Sequence, residues 1–188
     1  MGEQVQRLTK LATDLLDLSR LDAGGLTLAH EDIELGELAA DSAREMQALA
    51  ARRGSSLIVV HDRPAPARGD EGRVLQVLRA LVDNALRHTP PGSIVTLSTE
   101  TTPWGASVVV SDDGPGIPPE QLERVFERFY RAPGAAARGT GLGLAIAREL
   151  AERMEGRLLS TSGPGGTRFT LELPGPSAEG ARAYSETP

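Results

Sequence analysis

Apolar residues follow a helical spacing near the start of the chain. Within residues 4–22 a leucine recurs at every third or fourth position, which predicts one helix with a coiled-coil-like seam. This seam comprises Leu8, Leu11, Leu15 and Leu18. Gly24-Gly25 ends the helix, as a left-handed C-terminal cap does. The helix is either a core helix of its own domain or, as we favour, one half of a helical hairpin whose partner helix this sequence does not contain.

Three longer helices follow, each marked by an apolar stripe at helical spacing. They are predicted over residues 35–49, 70–85 and 142–154, with a shorter helix over residues 118–130. Asp70 is suited to cap the second of the three, and Gly54 and Gly156 terminate the first and the third.

Short apolar runs predict strands between these helices, and Pro64-Ala65-Pro66 breaks the chain. The strand candidates are residues 26–34, 56–60, 93–100, 106–110, 157–161 and 168–173. The third and fourth flank Pro103-Trp104-Gly105, which predicts an antiparallel pair. Helices and strands are mixed, and some connections are hairpins. The pattern therefore predicts an α/β (α+β) two-layer sandwich, with a mixed sheet of about five strands, three helices on one face and one long helix before it.

The change of pattern near residues 23–30 marks a domain boundary. We expect a helical segment over residues 1–24 and the mixed domain over residues 25–174. Residues 175–188 are rich in Pro, Gly, Ser and Glu, which predicts a disordered tail. The Gly/Ala/Arg-rich residues 131–139 predict a mobile loop.

Composition excludes several classes of function. The 188-residue chain has a formal net charge of −6 and a pI near 5.2, which argues against a nucleic-acid-binding protein. The absence of cysteine excludes disulfides, zinc ribbons and thiolate chemistry. No stretch approaches the roughly 20 apolar residues of a membrane span, and no apolar signal core begins the sequence. We therefore expect the chain as given to be cytoplasmic.

The first polar residues that could bind a ligand lie on the predicted helix after Asp70. Asn84 lies three and four residues before Arg87 and His88, so the three side chains share one face. An amide oxygen can ligate Mg²⁺, and the cations can meet phosphate oxygens. The same residues also suit an ordinary helix C-terminus with its usual cations, followed by a Pro-rich stop.

Asp112 follows the apolar run of residues 108–110 and precedes Gly114-Pro115-Gly116. A carboxylate at a strand end accepts well from an exocyclic amine, which distinguishes adenine from guanine, and glycines let the backbone pass close to a base. A plain Asp-Asp-Gly-Pro turn is the alternative. Farther on, the glycine-rich residues 139–144 open a helix and expose backbone amides toward anions. Neither a P-loop lysine nor a Gly-x-Gly-x-x-Gly after a strand is present.

With these motifs in order, residues 70–173 resemble the ATP-binding catalytic domain of sensor histidine kinases, which belongs to the Bergerat-fold (GHKL) ATPases. The resemblance rests on an Asn box (81–90), a first glycine box (112–117), a phenylalanine box (125–131) and a second glycine box (139–144). The segment from Gly165 to Pro174 also resembles the closing strands of that family.

The resemblance implies a role for each box. Asn84 would hold Mg²⁺, Asp112 would receive the adenine amine with Thr167 nearby through water, and Arg87, His88 and Arg131 would face ribose and phosphates. The glycine boxes would contribute Gly114, Gly116, Ile117, Gly139, Thr140, Gly141, Leu142, Gly143 and Leu144. Residues 118–138 would form an ATP lid anchored by Phe126 and Phe129, more ordered with nucleotide than without. No catalytic residue beyond this ATP site is expected.

Residues 4–22 resemble the second helix of the dimerisation and phosphotransfer hairpin of that family. None of His30, His61 and His88 stands in the sequence context of a phospho-accepting histidine. The resemblance therefore implies a histidine protein kinase module that does not phosphorylate itself alone. Its partners would be a phospho-accepting hairpin of the same kinase and the receiver domain of a response regulator. The full-length protein would be a homodimer associated with the inner membrane.

Position 80 departs from the family. Sensor kinases commonly carry Asn four residues before Asn84, and hydrolysing relatives carry Glu, whereas this chain has Ala80. No general base for water is thus evident. Two alternatives stay open: a degenerate, non-catalytic ATP sensor, and a serine kinase of the anti-sigma type.

Overall fold

The computed structural model describes residues 2–61, 63–132 and 139–178. Its helices are α1 (Gly2–Asp22), α2 (Leu35–Arg52), α3 (Glu71–His88) and α4 (Gly143–Arg153). Its strands are β1 (Glu31–Glu34), β2 (Ser56–Val60), β3 (Pro66–Gly69), β4 (Ile94–Thr101), β5 (Gly105–Asp112), β6 (Arg157–Gly163) and β7 (Gly166–Pro174). Within the described ranges, no helix has the length and apolarity needed to cross a bilayer.

The main sheet has five strands in the order β2-β4-β5-β7-β6. The β2–β4 pair is parallel, and the other three pairs are antiparallel. The predicted mixed sheet and the predicted β4–β5 hairpin are therefore confirmed. A second, two-stranded sheet joins β1 to β3.

Helices α2, α3 and α4 cover one face of the main sheet. Buried and less buried side chains alternate along β4 and β7, as expected for strands with a single covered face. The buried strand residues include Val95, Leu97, Val108, Val110, Phe169, Leu171 and Leu173. Opposite them, α3 buries Val74, Val77, Leu78, Leu81, Val82, Ala85 and Leu86. This packing fixes α3 and the C-terminal end of β5 relative to one another.

Two acidic side chains cap the helices that border the sheet. Asp70 accepts from the Arg73 N–H at 3.0 Å, which confirms the predicted cap of α3, and also from the Ala29 N–H at 3.0 Å. Glu34 caps α2 through the Gly36 N–H at 3.1 Å. Each cap satisfies a backbone donor that the first turn of a helix leaves without a partner.

The predicted chain break near Pro66 is a strand instead. Residues Pro66–Gly69 pair with β1, and Pro66 stands opposite Glu34 at the end of that ladder. Proline is tolerated at the first position of a strand, where no ladder hydrogen bond requires its missing N–H.

The predicted helix over residues 118–130 is also wrong. The chain forms only two single 3-10 turns there, Pro119–Gln121 and Arg124–Phe126. Phe129 then takes a left-handed conformation with φ of 64°, which no α-helix accommodates. The α4 helix, by contrast, forms as predicted, but the left-handed residue at its end is Glu155 rather than Gly156.

Helix α1 lies against the domain at one end only. Leu18 and Leu21 are buried, whereas Val5 and Leu8 are more than 60% exposed. The Gln76 amide donates to the Asp17 carboxylate at 2.8 Å, linking α1 to α3. The C-terminal half of α1 is thus packed on the domain, and its N-terminal half presents an exposed apolar face.

The predicted tail and loop lie partly outside the described residues, which leave out 133–138 and 179–188. Before the second gap, Ser177 donates its N–H to Asp32 Oδ1 at 2.7 Å. The chain just after β7 is therefore attached to β1.

Candidate nucleotide-binding site

A cavity of about 510 Å³ opens where α3, the end of β5 and the start of α4 meet. Its volume is within the range of small-molecule sites. The predicted site residues that line it are Asn84, Arg87, His88, Asp112, Gly116, Ile117, Arg131, Gly139, Thr140, Gly141, Gly143, Leu144 and Thr167. Four separate sequence motifs therefore converge on one concave surface.

Two predicted site residues do not line the cavity. Leu142 is fully buried in the core, where it holds the start of α4. Gly114 is buried as well, and its N–H donates to Asp112 Oδ1 at 2.9 Å. Both positions support the site from behind instead of facing a ligand.

Asp112 is oriented by two backbone donors. Besides Gly114, the Thr167 N–H donates to the same Oδ1 atom at 3.3 Å. Oδ2 accepts no hydrogen bond from the described residues and is the oxygen left for a ligand. Burial raises the pKa of Asp112 above its usual value, although the two N–H donors act against this. A half-buried, oriented acceptor at the end of β5 suits recognition of an amine.

The hydrogen bonds of Ser162, which lies beside Thr167, determine whether the Thr167 hydroxyl donates or accepts. Ser162 Oγ donates to the Gly166 carbonyl at 2.9 Å and accepts from the Ile117 N–H at 2.7 Å. Its single proton is thereby used, so in the 3.0 Å contact between the hydroxyls Thr167 is the donor. Thr167 Oγ1 consequently faces the cavity as an acceptor.

Glycine is required at two turns around the cavity. Gly116 has φ of +80°, and a Cβ there would lie 2.1 Å from the Gly163 carbonyl oxygen. Gly141 has φ of +72°, and a Cβ would lie 2.8 Å from the carbonyl carbon of Phe129. The Gly141 carbonyl also accepts from the Phe129 N–H at 2.8 Å. The glycine-rich segment before α4 is thus bonded to the segment that follows the 3-10 turns.

The α3 side of the cavity carries the predicted polar cluster. Asn84 is partly buried, and Arg87 Nε lies 2.9 Å from Asp83 Oδ1, so an acid one turn earlier shares the Arg87 charge. His88 remains exposed overall, but its imidazole lies against the pocket wall. Desolvation, followed by the charge of Arg87, lowers the pKa of His88. The free site therefore holds a largely neutral imidazole at neutral pH.

Ala80 lines the cavity as well, facing the first residue of α4. A Cβ built on Gly143 would lie 4.0 Å from the Ala80 methyl group. This position, for which the family resemblance implied an acid or an amide, is here occupied by a methyl group. Within the described part of the chain, no three His, Asp or Glu side chains cluster as a metal site.

Some residues that line the cavity were not among the predicted site residues. Lys10 reaches the cavity from α1, and Arg53 reaches it from the end of α2, where it donates to the Leu86 carbonyl at 2.7 Å. Tyr130 lines it from the segment after the 3-10 turns. Only tertiary packing brings in Lys10 and Arg53, whereas Tyr130 lies within the phenylalanine box. Asp83 also lines the cavity, and its i,i+4 spacing to Arg87 is a sequence signal for their ion pair.

The two phenylalanines expected to anchor the lid differ. Phe126 is 7% exposed and packs edge-to-face on Phe169 with ring centroids 6.0 Å apart. Phe129 is 59% exposed, so its predicted anchoring role is wrong. Residues 133–138 of the expected lid lie outside the described residues.

Comparison with known proteins adds an independent finding. A family model described as histidine kinase-, DNA gyrase B-, and HSP90-like ATPase matches residues 69–177. The probable sensor histidine kinase TcrY of Mycobacterium tuberculosis is 36% identical over 177 residues, covering 93% of this chain and 37% of its own. The chain thus spans little more than a third of the length of the curated relatives it matches.

Two solved structures are similar to most of the chain. The mycobacterial sensor histidine kinase MprB is 31% identical with a TM-score of 0.66, covering 79% of this chain and 99% of that one. Full-length ShkA in complex with AMPPNP is 30% identical with a TM-score of 0.78, covering 89% of this chain and 35% of its own.

Proposed function

The chain belongs to the family of histidine kinase-, DNA gyrase B-, and HSP90-like ATPases as the catalytic domain of a sensor histidine kinase, and from this premise we propose how its cavity is used. It binds ATP with Mg²⁺ and donates the γ-phosphoryl group to a histidine on a helical hairpin of the same kinase. From there the phosphoryl group passes to the receiver domain of a response regulator.

The orientation of Asp112 is the observation that carries this proposal. Two backbone donors hold Oδ1, which directs the other carboxylate oxygen toward a ligand amine. Thr167 Oγ1 adds a second acceptor beside it. Acceptors at this edge favour adenine, which offers an amine, over guanine, which offers a carbonyl at the same ring position.

The opposite end of the cavity suits phosphates and their metal. The glycine-rich segment at the start of α4, together with Arg131, would bind phosphate oxygens. Asn84 is the neutral oxygen ligand available for Mg²⁺, which relies on phosphates and water for the rest of its shell. When bound, Mg²⁺ would neutralise phosphate charge.

Transfer to histidine requires positioning and charge neutralisation more than covalent help from the enzyme. An imidazole nitrogen attacks the γ-phosphorus, the bond to the β–γ bridging oxygen breaks, and ADP leaves. His30 and His61 are not among the residues that line the cavity. The acceptor in this proposal therefore belongs to another segment. We place the reaction in the cytoplasm, in a full-length homodimer anchored to the inner membrane.

Ala80 favours a second candidate, an ATP sensor without transfer activity. Its methyl group supplies neither a general base nor a hydrogen-bond donor for phosphate oxygens. The deciding experiment adds a separately produced hairpin bearing its histidine to this chain and [γ-³²P]ATP. Label on the hairpin, reduced with Asp112→Asn at ATP concentrations below saturation, supports the kinase, whereas tight ATP binding without label supports the sensor.

A further inference from the structure

Two cations of the cavity, Lys10 and Arg53, come from outside the segment that defines the family. Lys10 is the single lysine in a chain with 20 Lys and Arg residues. It lies on α1, which precedes the matched residues 69–177, and yet it lines the same cavity as Asn84 and Asp112.

The place of Lys10 is set by the packing of α1. Burial of Leu18 and Leu21 holds the C-terminal half of the helix on the domain. One turn after Lys10, the nearly buried Asp14 accepts from Thr140 Oγ1 at 2.8 Å. Thr140 belongs to the glycine-rich segment before α4, so Lys10 enters the cavity at its phosphate end.

The charge of Lys10 is only loosely engaged. Its Nζ atom lies 4.0 Å from Asp14 Oδ1, which is too long for a hydrogen bond, and its side chain is 45% exposed. Asp14, in turn, places a carboxylate near the start of α4, where anions are favoured. An incoming triphosphate would be repelled by Asp14 and attracted by Lys10.

We propose that Lys10 is a phosphate-binding residue of the nucleotide site, contributed by α1. Its ammonium group exchanges the distant Asp14 carboxylate for phosphate oxygens when nucleotide binds, so that the docked helix becomes one wall of the site. The inference rests on the proposed binding of ATP. The competing explanation is a surface ion pair that supports only the α1 helix.

The single lysine makes a direct probe possible. Reductive methylation with ¹³C-formaldehyde keeps the charge and gives one lysine signal in the NMR spectrum of the full chain, assigned by its loss in Lys10→Arg. That signal should shift on titration with Mg·ATP and stay in place with adenosine.

Calorimetry on variants gives the second readout. Lys10→Met should weaken ATP binding about three- to tenfold, as expected for a partly solvated charge pair, without affecting adenosine. Lys10→Arg should restore most of the affinity. Arg20→Met is the matched control, since it removes the same charge from an exposed position of the same helix that does not line the cavity.

The two proposals fail in different ways. If ATP binds tightly while the lysine signal stays fixed, or Lys10→Met binds ATP like the parent chain, Lys10 is not a ligand and the nucleotide site stands. If neither ATP nor adenosine binds the parent chain, the proposed function fails, and the role of Lys10 fails with it.

Discussion

Asp112 combines a binding role with a cost in stability. Its pKa is raised by burial, so the folded protein holds the charged form less readily than the unfolded chain. The stability linked to this group is complete below its unfolded pKa and is lost as pH rises through the folded value. At neutral pH the carboxylate therefore destabilises the empty site, and a ligand amine would offset that cost.

The variant Asp112→Asn tests both the binding role of this carboxylate and its cost in stability. The amide oxygen can still accept from Gly114 and Thr167, but an NH₂ group replaces the free acceptor. We expect ATP affinity to fall by about tenfold or more, because a donor then faces the adenine amine. Without ligand, the free energy of unfolding at pH 7 should rise by no more than about 1 kcal/mol, and this gain should vanish near pH 3.

Calorimetry and thermal unfolding at both pH values measure these effects. Unchanged ATP affinity in Asp112→Asn would remove this carboxylate from base recognition.

His88 should make ATP binding depend on pH. Its pKa is lowered in the free site, and phosphate oxygens favour the imidazolium form, so binding takes up a proton. Affinity for Mg·ATP is then expected to increase as pH falls from about 7.5 to about 6. Calorimetry in buffers of different ionisation enthalpy measures the proton uptake. His88→Gln, studied in the same buffers, accounts for the protons of the nucleotide itself, and an identical slope in this variant would contradict the assignment.

At the scale of elements, sequence periodicity located the helices well. The apolar stripes of α2, α3 and α4 correspond to the helices observed, because each helix buries one face on the sheet. The residues between 118 and 130 were not predictable in this way. Their conformation depends on Phe126 packing on Phe169 and on the bond from Phe129 to Gly141, which are contacts between segments distant in sequence.

The residues of the candidate site likewise fall into those that the sequence predicts and those that only the folded structure brings together. Asn84, Asp112 and the glycine boxes lie in short motifs whose spacing the sequence displays. Lys10 and Ser162 act through helix docking and a hairpin contact, and no local pattern marks them.

Gly141 joins two elements, and its replacement should separate them. In Gly141→Ala the methyl group would collide with the Phe129 backbone at a left-handed φ, so we expect a loss of about 1–3 kcal/mol in the free energy of unfolding. ATP affinity should fall as well, because this turn lines the cavity. Urea denaturation and calorimetry measure the two effects.

The matched control is Gly139→Ala. It lies two residues earlier, and no described atom is within 4 Å of the position its Cβ would take. Equal destabilisation in both variants would show that the close contact at Gly141 is unimportant.

The charge of the whole molecule opposes its proposed ligand. The chain carries a formal net charge of −6, yet Lys10, Arg53, Arg87 and Arg131 line one cavity. Local cations must therefore outweigh the overall field at the site of a polyphosphate.

This arrangement predicts a dependence on salt. Raising ionic strength from about 0.05 to 0.5 M should weaken Mg·ATP binding severalfold, because partly exposed cations are screened. Adenosine, which has no charge, should bind equally well throughout. Fluorescence or calorimetric titrations at matched Mg²⁺ check this, and equal salt dependence for both ligands would contradict it.

The last turn of α1 is fastened to the domain at two points. Arg128 pairs with Asp22, and the Arg153 guanidinium donates to the Leu21 carbonyl. The helix is 21 residues long, which makes it a rod of about 30 Å. A rotation of α1 applied at its N-terminal end would therefore reach Arg128 through Asp22. Arg128 directly precedes Phe129, whose N–H donates to the Gly141 carbonyl, so the rotation would extend to the glycine-rich turn beside the cavity.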